Sequence, residues 1–312
     1  MRNRIRLAPI LLPLMAAAAC AGRGPSTPAP RGAGVARAPY RLIDMESARP
    51  VELPALADRA AAADVIFFGE QHDDAGAHRL EYALLEALAG RRDPVVLSLE
   101  MFERDVQPVL DDYLAGRISE EDFLAASRPW PNYATDYRPL VELARARGWP
   151  VIAANVPRRY AALVADGGLD TLRSLPPGER DAYIAASIEC PRDAYYARFL
   201  GAMGAHPGAG AAEARMLRYY QAQCVKDETM AESIVAARAK WPGAPVLHVT
   251  GAFHSDYGHG IPARVARRAP GTRMLLVTAI PAARPRDVDL AEQRGRADYI
   301  FFTARGEGEG GR

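Results

Sequence analysis

The chain has 312 residues, of which 49% are hydrophobic and 25% are charged, a composition typical of a globular protein with a sizeable core. Its formal net charge is only +1, and it contains neither a basic stripe nor an interleaved aromatic cluster, so the sequence argues against a nucleic-acid partner.

The first twenty residues have the pattern of a bacterial export signal. Three arginines within the first six residues form a positive region, and the apolar run 7–15 and a series of small residues lead to Cys20. The run is too short to span a bilayer, and a cysteine directly after small residues is typical of bacterial lipoproteins. We therefore predict a lipoprotein signal peptide over residues 1–20, with Cys20 as the lipidated residue. A plain secretory signal with an incidental cysteine is the alternative.

Residues 21–39 are rich in Gly, Pro, Ala and Arg and have no period, which predicts a flexible tether between the anchor and the domain. Without the three arginines of the signal, 36 basic residues stand against 38 acidic ones, so the mature chain is slightly acidic. Ala21 is not the aspartate that favours inner-membrane retention. We therefore expect a lipid-anchored protein of the cell envelope, in the outer membrane and facing the periplasm or the cell surface.

Short apolar runs alternate with helical patterns from about residue 62 onward, which predicts an α/β fold with a mostly parallel central sheet flanked by helices. The predicted strands are 65–68, 95–99, 151–154, 246–250 and 274–277, with an edge strand expected at 299–302. The predicted helices are 75–88, 106–114, 120–126, 139–147, 211–239 and 261–268.

Residues 160–242, between the third and fourth predicted strands, contain helical patterns and no strand pattern. We predict that they form a helical insertion, or lid, before the strand that precedes His254, within one domain spanning 40–312. A small separate domain is the alternative. The insertion contains Cys190 and Cys224, which an oxidising compartment would allow to pair; two buried free thiols are equally compatible with the sequence.

Polar residues follow four of the predicted strands at the point where each strand ends. Glu70 and His72 follow the first strand, Glu100 the second, Asn155 the third and His254 the fourth. The carboxyl ends of parallel strands lie along one edge of the sheet, where open α/β sheets bind their ligands. We therefore expect these side chains to form one site.

The spacing Gly-x-x-His occurs twice, at 69–72 and 251–254. In each case the glycine lets the chain turn sharply off the strand. His72, His254 and Glu100 together form a ligand set of the hydrolytic zinc type, leaving one coordination position open. The same residues could instead perform metal-free acid–base chemistry, with Glu70 or Glu100 orienting or deprotonating a histidine. A single histidine after a strand more often caps a helix or lies in a loop.

Several polar residues near these motifs have simpler interpretations. The aspartates at 73–74 are placed to cap the following helix. His78 and His259 are near enough in sequence to join the site. His248 lies inside an apolar strand and is expected to be a core histidine.

Five segments together carry a family resemblance. They are FFGEQHDDAGAH, LSLEMFERDVQPVLDDYLAG, WPNYATDY, AANVPRRYA and VTGAFHSDYGHGIPARV. They resemble the ChaN-like haem-uptake lipoproteins, members of a wider superfamily that includes the Tiki and TraB proteins and is similar to the erythromycin esterases. The resemblance covers roughly residues 40–280. One departure is Lys226, where the family pattern has an aromatic residue before the aspartate.

The resemblance to ChaN-like proteins implies a haem-binding surface lipoprotein that serves iron uptake, with tyrosine ligation and haems paired across a homodimer. It also implies attachment to the membrane and an outer-membrane haem receptor as a partner. Tyr133 and Tyr137 are the candidate ligands, because they lie in a Trp/Pro/Tyr-rich loop suited to a flat apolar ring. His78 and Asn155 are further candidates for contact with the haem. Ordinary half-buried tyrosines are the alternative.

The resemblance to Tiki-type relatives implies a metal-dependent hydrolase of peptide or ester bonds instead. The two Gly-x-x-His motifs and the glutamate then fall on His72, His254 and Glu100, which would hold a divalent metal such as zinc. Glu70 would be the general base toward a bound water. The third hypothesis is a plain interaction module, which would not explain why polar residues follow four of the predicted strands.

Overall fold

The computed structural model describes residues 40–204 and 210–304. The predicted signal peptide, the tether and the lipidation site at Cys20 lie outside the described residues. Within the described ranges, no helix combines the length and the apolar character that crossing a bilayer requires.

The described residues build an eight-stranded sheet whose strands run in the order β2-β1-β8-β7-β3-β6-β4-β5. All neighbours from β8 to β5 are parallel, while β1 pairs antiparallel with both β8 and β2. The strands are β1 (Tyr40–Asp44), β2 (Arg49–Pro50), β3 (Val65–Glu70), β4 (Val96–Glu103), β5 (Val151–Asn155), β6 (Val246–Gly251), β7 (Met274–Ala282) and β8 (Tyr299–Ala304). The predicted α/β class with a mostly parallel sheet is confirmed.

The strand predicted at the sheet edge, β8, is an internal strand. The expectation was wrong because the first described residues form β1, which pairs along β8 from Tyr40↔Thr303 to Asp44↔Tyr299. β8 is accordingly buried along most of its length, with Ile300, Phe301 and Phe302 inaccessible to solvent. The antiparallel pair β1–β2 covers the edge that β8 would otherwise present.

Ten α-helices accompany the sheet in the described ranges, together with short 3₁₀ and π segments. They are α1 (Leu53–Ala61), α2 (Ala75–Ala89), α3 (Gln107–Leu114), α4 (Glu120–Ser127), α5 (Arg138–Arg147), α6 (Arg158–Gly167), α7 (Pro177–Tyr183), α8 (Ala194–Ala202), α9 (Ala211–Lys240) and α10 (Ile261–Arg268). Asp74 caps α2, since its side chain accepts a hydrogen bond from the Gly76 N–H at 2.8 Å.

The parallel strands are apolar throughout because helices cover both of their faces. One face of the sheet packs Ile66, Phe68 and Leu97 against α1, α2 and α5. The other face packs Phe67 and Val246 against α9 and α10. Continuous apolar runs such as the VIFF of β3 are therefore buried on both sides.

Between β5 and β6, the described residues form α6 to α9 and contain no strand. α9 does more than cover an opening, because its residues Met230, Ala231 and Ile234 belong to the core on one face of the sheet. Its preceding turns pack against α6 in a second apolar cluster. The insertion is thus part of the same domain core, and Cys190 and Cys224 within it form a disulfide.

Candidate functional site

The carboxyl-terminal parts of β3, β4 and β6 bring the predicted site residues together. Glu100 was expected directly after its strand, but it lies within β4, which continues past an irregularity after Leu99 to Glu103. β6 lies between β3 and β4, and Glu70 at the end of β3 is in register with Gly251 at the end of β6. Glu70, Glu100 and His254 are buried, whereas the His72 side chain keeps 46% of its surface exposed. His72 is therefore the member of this group that a ligand in solution can reach.

Glu70 fixes the orientation of His72. The Nδ1 atom of His72 lies 2.7 Å from Glu70 Oε1, and the Tyr137 hydroxyl donates to the same carboxylate oxygen. Burial alone would raise the pKa of Glu70, but the hydrogen bond of His72 and the nearby His78 imidazole lower it below its ordinary value. Burial opposes charge on His72 as well, yet the bond to Glu70 raises its pKa. Glu70 is thus a carboxylate that holds an imidazole in place.

Glu100 is the acceptor at the centre of the site. Its Oε2 atom accepts hydrogen bonds from Thr250 Oγ1 at 2.7 Å and from the Gly251 N–H at 2.8 Å, while Oε1 lies 3.3 Å from His254 Nε2. Burial would raise the pKa of Glu100, but the charge and hydrogen bond of His254 hold it well below the usual range. Glu100 is therefore an ionised carboxylate despite its burial.

His254 lies between two carboxylates. Its Nδ1 atom is 2.5 Å from Asp227 Oδ1 on α9, and its other nitrogen faces Glu100. The Gln223 amide nitrogen, also on α9, lies 3.1 Å from His254 Nδ1. Burial would lower the pKa of His254, but Glu100 and Asp227 raise it to about 10. In the absence of a metal, the His254 imidazole is accordingly protonated at neutral pH.

Gly251 makes the close approach of these groups possible. A Cβ atom at this position would lie 3.0 Å from His72 Nε2 and 3.7 Å from Glu100 Oε2. Any larger residue would push His72 out of place. Gly69, the first residue of the other motif, is similarly confined, since a Cβ there would lie 2.9 Å from the Ala252 Cα atom.

The arrangement consists of two carboxylate–histidine pairs that meet at one carboxylate. Glu70 supports His72, Asp227 supports His254, and Glu100 lies between the two imidazoles. Histidines that bind metals in proteins are oriented by carboxylates in the same way. The predicted set His72, Glu100 and His254 has the donor types of a metal site, but among the described residues the group whose ligand atoms lie within 4.8 Å of one another is Glu70, His78 and Glu81. The arrangement around Glu100 also suits proton transfer between oriented groups.

Tyr133 and Tyr137 both lie inside the protein. Tyr133 packs between Phe102 and Phe123 with its hydroxyl buried, and Tyr137 is 1% exposed, with its hydroxyl bonded to Glu70. Burial raises the pKa of both phenols, so neither is poised to form a phenolate. Their role as haem ligands stays a prediction.

The remaining predicted residues lie around this centre. His78 is buried behind Glu70, with its Nδ1 atom 3.2 Å from Glu70 Oε2. Asn155 ends β5 and accepts a hydrogen bond from the Val156 N–H. His248 is fully buried within β6 next to Ser98, as a core histidine would be. His259 lies by the ring of Tyr195, outside the network that links Glu70 to His254.

Sequence reasoning missed Glu81 and Asp227, which are both fully buried. Glu81 lies on the apolar face of α2, three residues after His78, and a charged residue on such a face is itself a signal for a buried partner. Asp227 lies in the middle of α9, about thirty residues before the histidine it holds. Its partner is set by tertiary packing, because the contact joins α9 to the residues that follow β6.

A surface pocket of about 660 Å³ lies beside the site. Its apolar wall contains Trp130, whose ring meets the ring of His72 edge-on at 4.6 Å. The Asn132 amide of the same loop donates to the His72 carbonyl oxygen at 2.9 Å. The pocket is lined by Glu103, Arg128, Pro129, Trp130, Pro131, Arg158, Arg159 and Ala162. It combines flat apolar surface with three guanidinium groups.

The chain belongs to the family described as "Haem-binding uptake, Tiki superfamily, ChaN", whose sequence model matches residues 56–265. This confirms the resemblance predicted from the five segments. The matched range contains both Gly-x-x-His motifs, Glu100 and the Trp130 pocket.

Two solved structures are similar to the chain in fold. The solved structure of ChaN of Campylobacter jejuni, described with cofacially bound haem, superposes with a TM-score of 0.64 at 18% identity, covering 86% of this chain and 97% of that one. At this identity the likeness shows the fold. An erythromycin esterase mutant in its open conformation superposes with a TM-score of 0.44 at 12% identity, covering 78% of this chain and 77% of that one.

A plant protein is a further relative. RETICULATA-RELATED 5, a chloroplastic protein of Arabidopsis thaliana, is 31% identical over 220 residues. The match covers 67% of this chain and 29% of the plant protein, so the chain spans less than a third of that relative's length.

Proposed function

We propose that this protein binds haem and serves haem or iron uptake, as a lipoprotein held at the membrane of the cell envelope. The observation that carries the proposal is membership, over residues 56–265, of a family described by haem binding and uptake. The predicted lipidation at Cys20, with its outer-membrane location and a haem receptor there as a partner, belongs to the same proposal.

The pocket beside Trp130 is the place we propose for the haem. Its volume falls within the range of pockets that hold cofactors. The Trp130 indole and the flanking prolines offer apolar surface to a macrocycle, and arginines are suited to carboxylates such as the two propionates. Arg158 is exposed and has no ion-pair partner among the described residues, so its guanidinium is available to a ligand. The exposed His72 imidazole borders the same pocket through Trp130.

A hemin titration of the purified protein, followed in the visible spectrum, tests this proposal. We expect saturable binding at a fixed stoichiometry. Trp130→Ala and Arg158→Ser should each weaken it by about tenfold or more, the equivalent of one lost charged hydrogen bond or stacking contact. Arg173→Ser, on an exposed arginine outside the pocket, is the matched control. Absence of any saturable change would reject haem binding.

The same titration tests the tyrosine ligands predicted from the sequence. Because both hydroxyls are buried, Tyr133→Phe and Tyr137→Phe should leave the hemin spectrum unchanged. A loss of the spectral shift in either variant would instead identify that tyrosine as the iron ligand, and it would mean that the loop opens when haem binds.

A second candidate function is metal-dependent hydrolysis, and we propose it because Glu70 and Asp227 orient two histidines near Glu100, which His254 contacts. His72, Glu100 and His254 would hold the metal, which when bound would supply a Lewis acid. Glu70 and Asp227 would hold the two imidazoles in their ligating orientations. The exposure of His72 gives a substrate access to one side of the group.

Hydrolysis is tested on zinc-loaded protein with fluorogenic peptides and p-nitrophenyl acetate as probes. His72→Ala and Glu100→Gln should lower any turnover by about a hundredfold or more, whereas Tyr133→Phe, buried away from the site, should not. Equal rates in wild type and His72→Ala would show that the site performs no such reaction. Because this assay contains no haem, its outcome is independent of the hemin titration.

A further inference from the structure

Behind His72, Glu70 belongs to a second group of polar side chains, whose other members, His78 and Glu81, neither function uses. Glu70, His78 and Glu81 place one potential ligand atom each within 4.8 Å of one another. All three side chains are 3% exposed or less. Such a group is expensive to bury unless protons or a cation neutralise it.

The hydrogen bonds of His78 indicate which of its two ring nitrogens carries a hydrogen. The Nε2 atom lies 3.2 Å from the backbone carbonyl oxygen of His72, which can only accept, so Nε2 carries the hydrogen. Nδ1 then faces Glu70 Oε2 at 3.2 Å and Glu81 Oε2 at 3.1 Å. In the neutral imidazole, the Nδ1 lone pair would point at two carboxylate oxygens. Such an arrangement requires either a proton or a metal ion between them.

Two carboxylate oxygens in this group lack hydrogen-bond partners. Glu70 Oε2 and Glu81 Oε1 are buried and accept no hydrogen bond from the described part of the chain. For Glu70 this contrasts with Oε1, which is bonded to both His72 and Tyr137. An unpartnered buried carboxylate oxygen 3.2 Å from a ring nitrogen has the spacing of two ligands on one cation.

We propose that Glu70, His78 and Glu81 bind one divalent first-row transition-metal ion, through Glu70 Oε2, His78 Nδ1 and a Glu81 oxygen. The charges balance, because two carboxylates and a neutral imidazole carry the −2 that such an ion neutralises. One nitrogen and carboxylate oxygens suit Zn²⁺, Mn²⁺ or Fe²⁺. The ion would fix Glu70, and through Glu70 the orientation of His72. It is therefore a positioning site, distinct from the open group around Glu100.

Metal content of the purified protein tests the proposal. The protein is stripped with a chelator, reloaded with Zn²⁺ or Mn²⁺, desalted, and analysed by plasma mass spectrometry. Wild type should retain about one ion at this site, and Glu81→Gln should lose it. The matched control is Glu86→Gln, on an exposed glutamate of the same helix, which should keep this ion. Equal metal content in wild type and Glu81→Gln would overturn the proposal.

X-ray absorption spectroscopy of the zinc-loaded wild type decides the matter even if Glu81→Gln fails to fold. The proposed site supplies one imidazole, whereas the group of His72, Glu100 and His254 supplies two. In zinc-loaded Glu100→Gln, a zinc coordination shell that contains one imidazole would support the buried site. A folded wild type that retains no ion, or only an ion with two imidazoles, would overturn it. Neither readout depends on haem binding or turnover.

Discussion

His254 is held by carboxylates on both sides, and this makes the stability of the protein depend on pH. Its pKa is about 10 in the folded chain, against about 6.5 for an unperturbed histidine. The contribution of its ion pairs is fully present below pH 6.5 and is lost as the pH rises through 10, because unfolding then releases a proton. A histidine whose pKa is raised on folding lowers the free energy of unfolding by about 1.4 kcal/mol for each pH unit between its unfolded and its folded pKa.

We therefore expect the free energy of unfolding of the metal-free protein to fall between pH 7 and pH 9. His78, whose pKa is raised to about 11, contributes in the same direction. In His254→Gln the slope should be shallower than in wild type by about 1.4 kcal/mol per pH unit, since the titration of His254 is removed while His72 and His78 remain. Urea unfolding followed by circular dichroism measures both slopes. Parallel slopes for the two proteins would show that His254 is neutral in the folded state.

At the scale of single residues, the site residues that could be predicted from the sequence lie at or near the carboxyl end of a strand. Glu70, His72, Glu100 and His254 could be chosen because the carboxyl ends of parallel strands are adjacent whatever the details of packing. Asp227 could not, because its contact with His254 depends on how α9 lies across the sheet. Tyr137 was chosen for its loop, but its hydroxyl points inward to Glu70, which the loop's composition does not indicate.

At the scale of elements, β5 is an edge strand whose backbone is paired by a side chain. The Gln107 amide donates to the Val151 carbonyl oxygen at 2.9 Å and accepts from the Ala153 N–H at 2.7 Å. It thereby copies the hydrogen bonds of a neighbouring strand. Gln107→Ala should cost about 1–2 kcal/mol of the free energy of unfolding, since two backbone groups lose their partners.

Urea unfolding of Gln107→Ala checks this value, with Gln71→Ala, on an exposed glutamine, as the control. Light scattering should also show more self-association in Gln107→Ala, because an unpaired edge strand can pair with another chain. Unchanged stability and unchanged association would mean that water replaces the Gln107 amide without loss.

The disulfide ties the segment before α8 to the middle of α9. Cys190 and Cys224 are 34 residues apart, and Cys224 immediately follows Gln223, which contacts His254. A loop of this length predicts about 3–4 kcal/mol of stabilisation through the unfolded chain. A reducing agent should lower the free energy of unfolding of wild type by this amount. It should have no effect on the double variant Cys190→Ala, Cys224→Ala, and an equal effect on both proteins would contradict the prediction.

Most elements could be predicted because their patterns are local. The 3.6-residue pattern of α9 and the apolar runs of β3 and β6 are complete within their own segments. The edge could not be predicted, since it depends on β1, a five-residue strand that pairs with β8 from the far end of the described residues. The pairing of Cys190 with Cys224 was open for the same reason, because nothing in the intervening residues brings two cysteines together.

At the scale of the whole molecule, the proposed haem pocket opens to solvent on one side, so a bound haem would keep part of its face exposed. An exposed apolar ring favours association with a second one. We propose on this basis that haem brings two copies of this chain together as a homodimer.

Light scattering coupled to size-exclusion chromatography tests the dimer. On addition of one equivalent of hemin, the mass should rise from about that of one chain to about that of two, because the stacked rings bury apolar surface that each chain alone leaves in water. Trp130→Ala should prevent the rise at the same hemin concentration, whereas Arg173→Ser should not. A mass that stays constant at saturating hemin would mean that the haem lies too deep in the pocket to meet a second one. This outcome would reject the haem-dependent homodimer without contradicting haem binding.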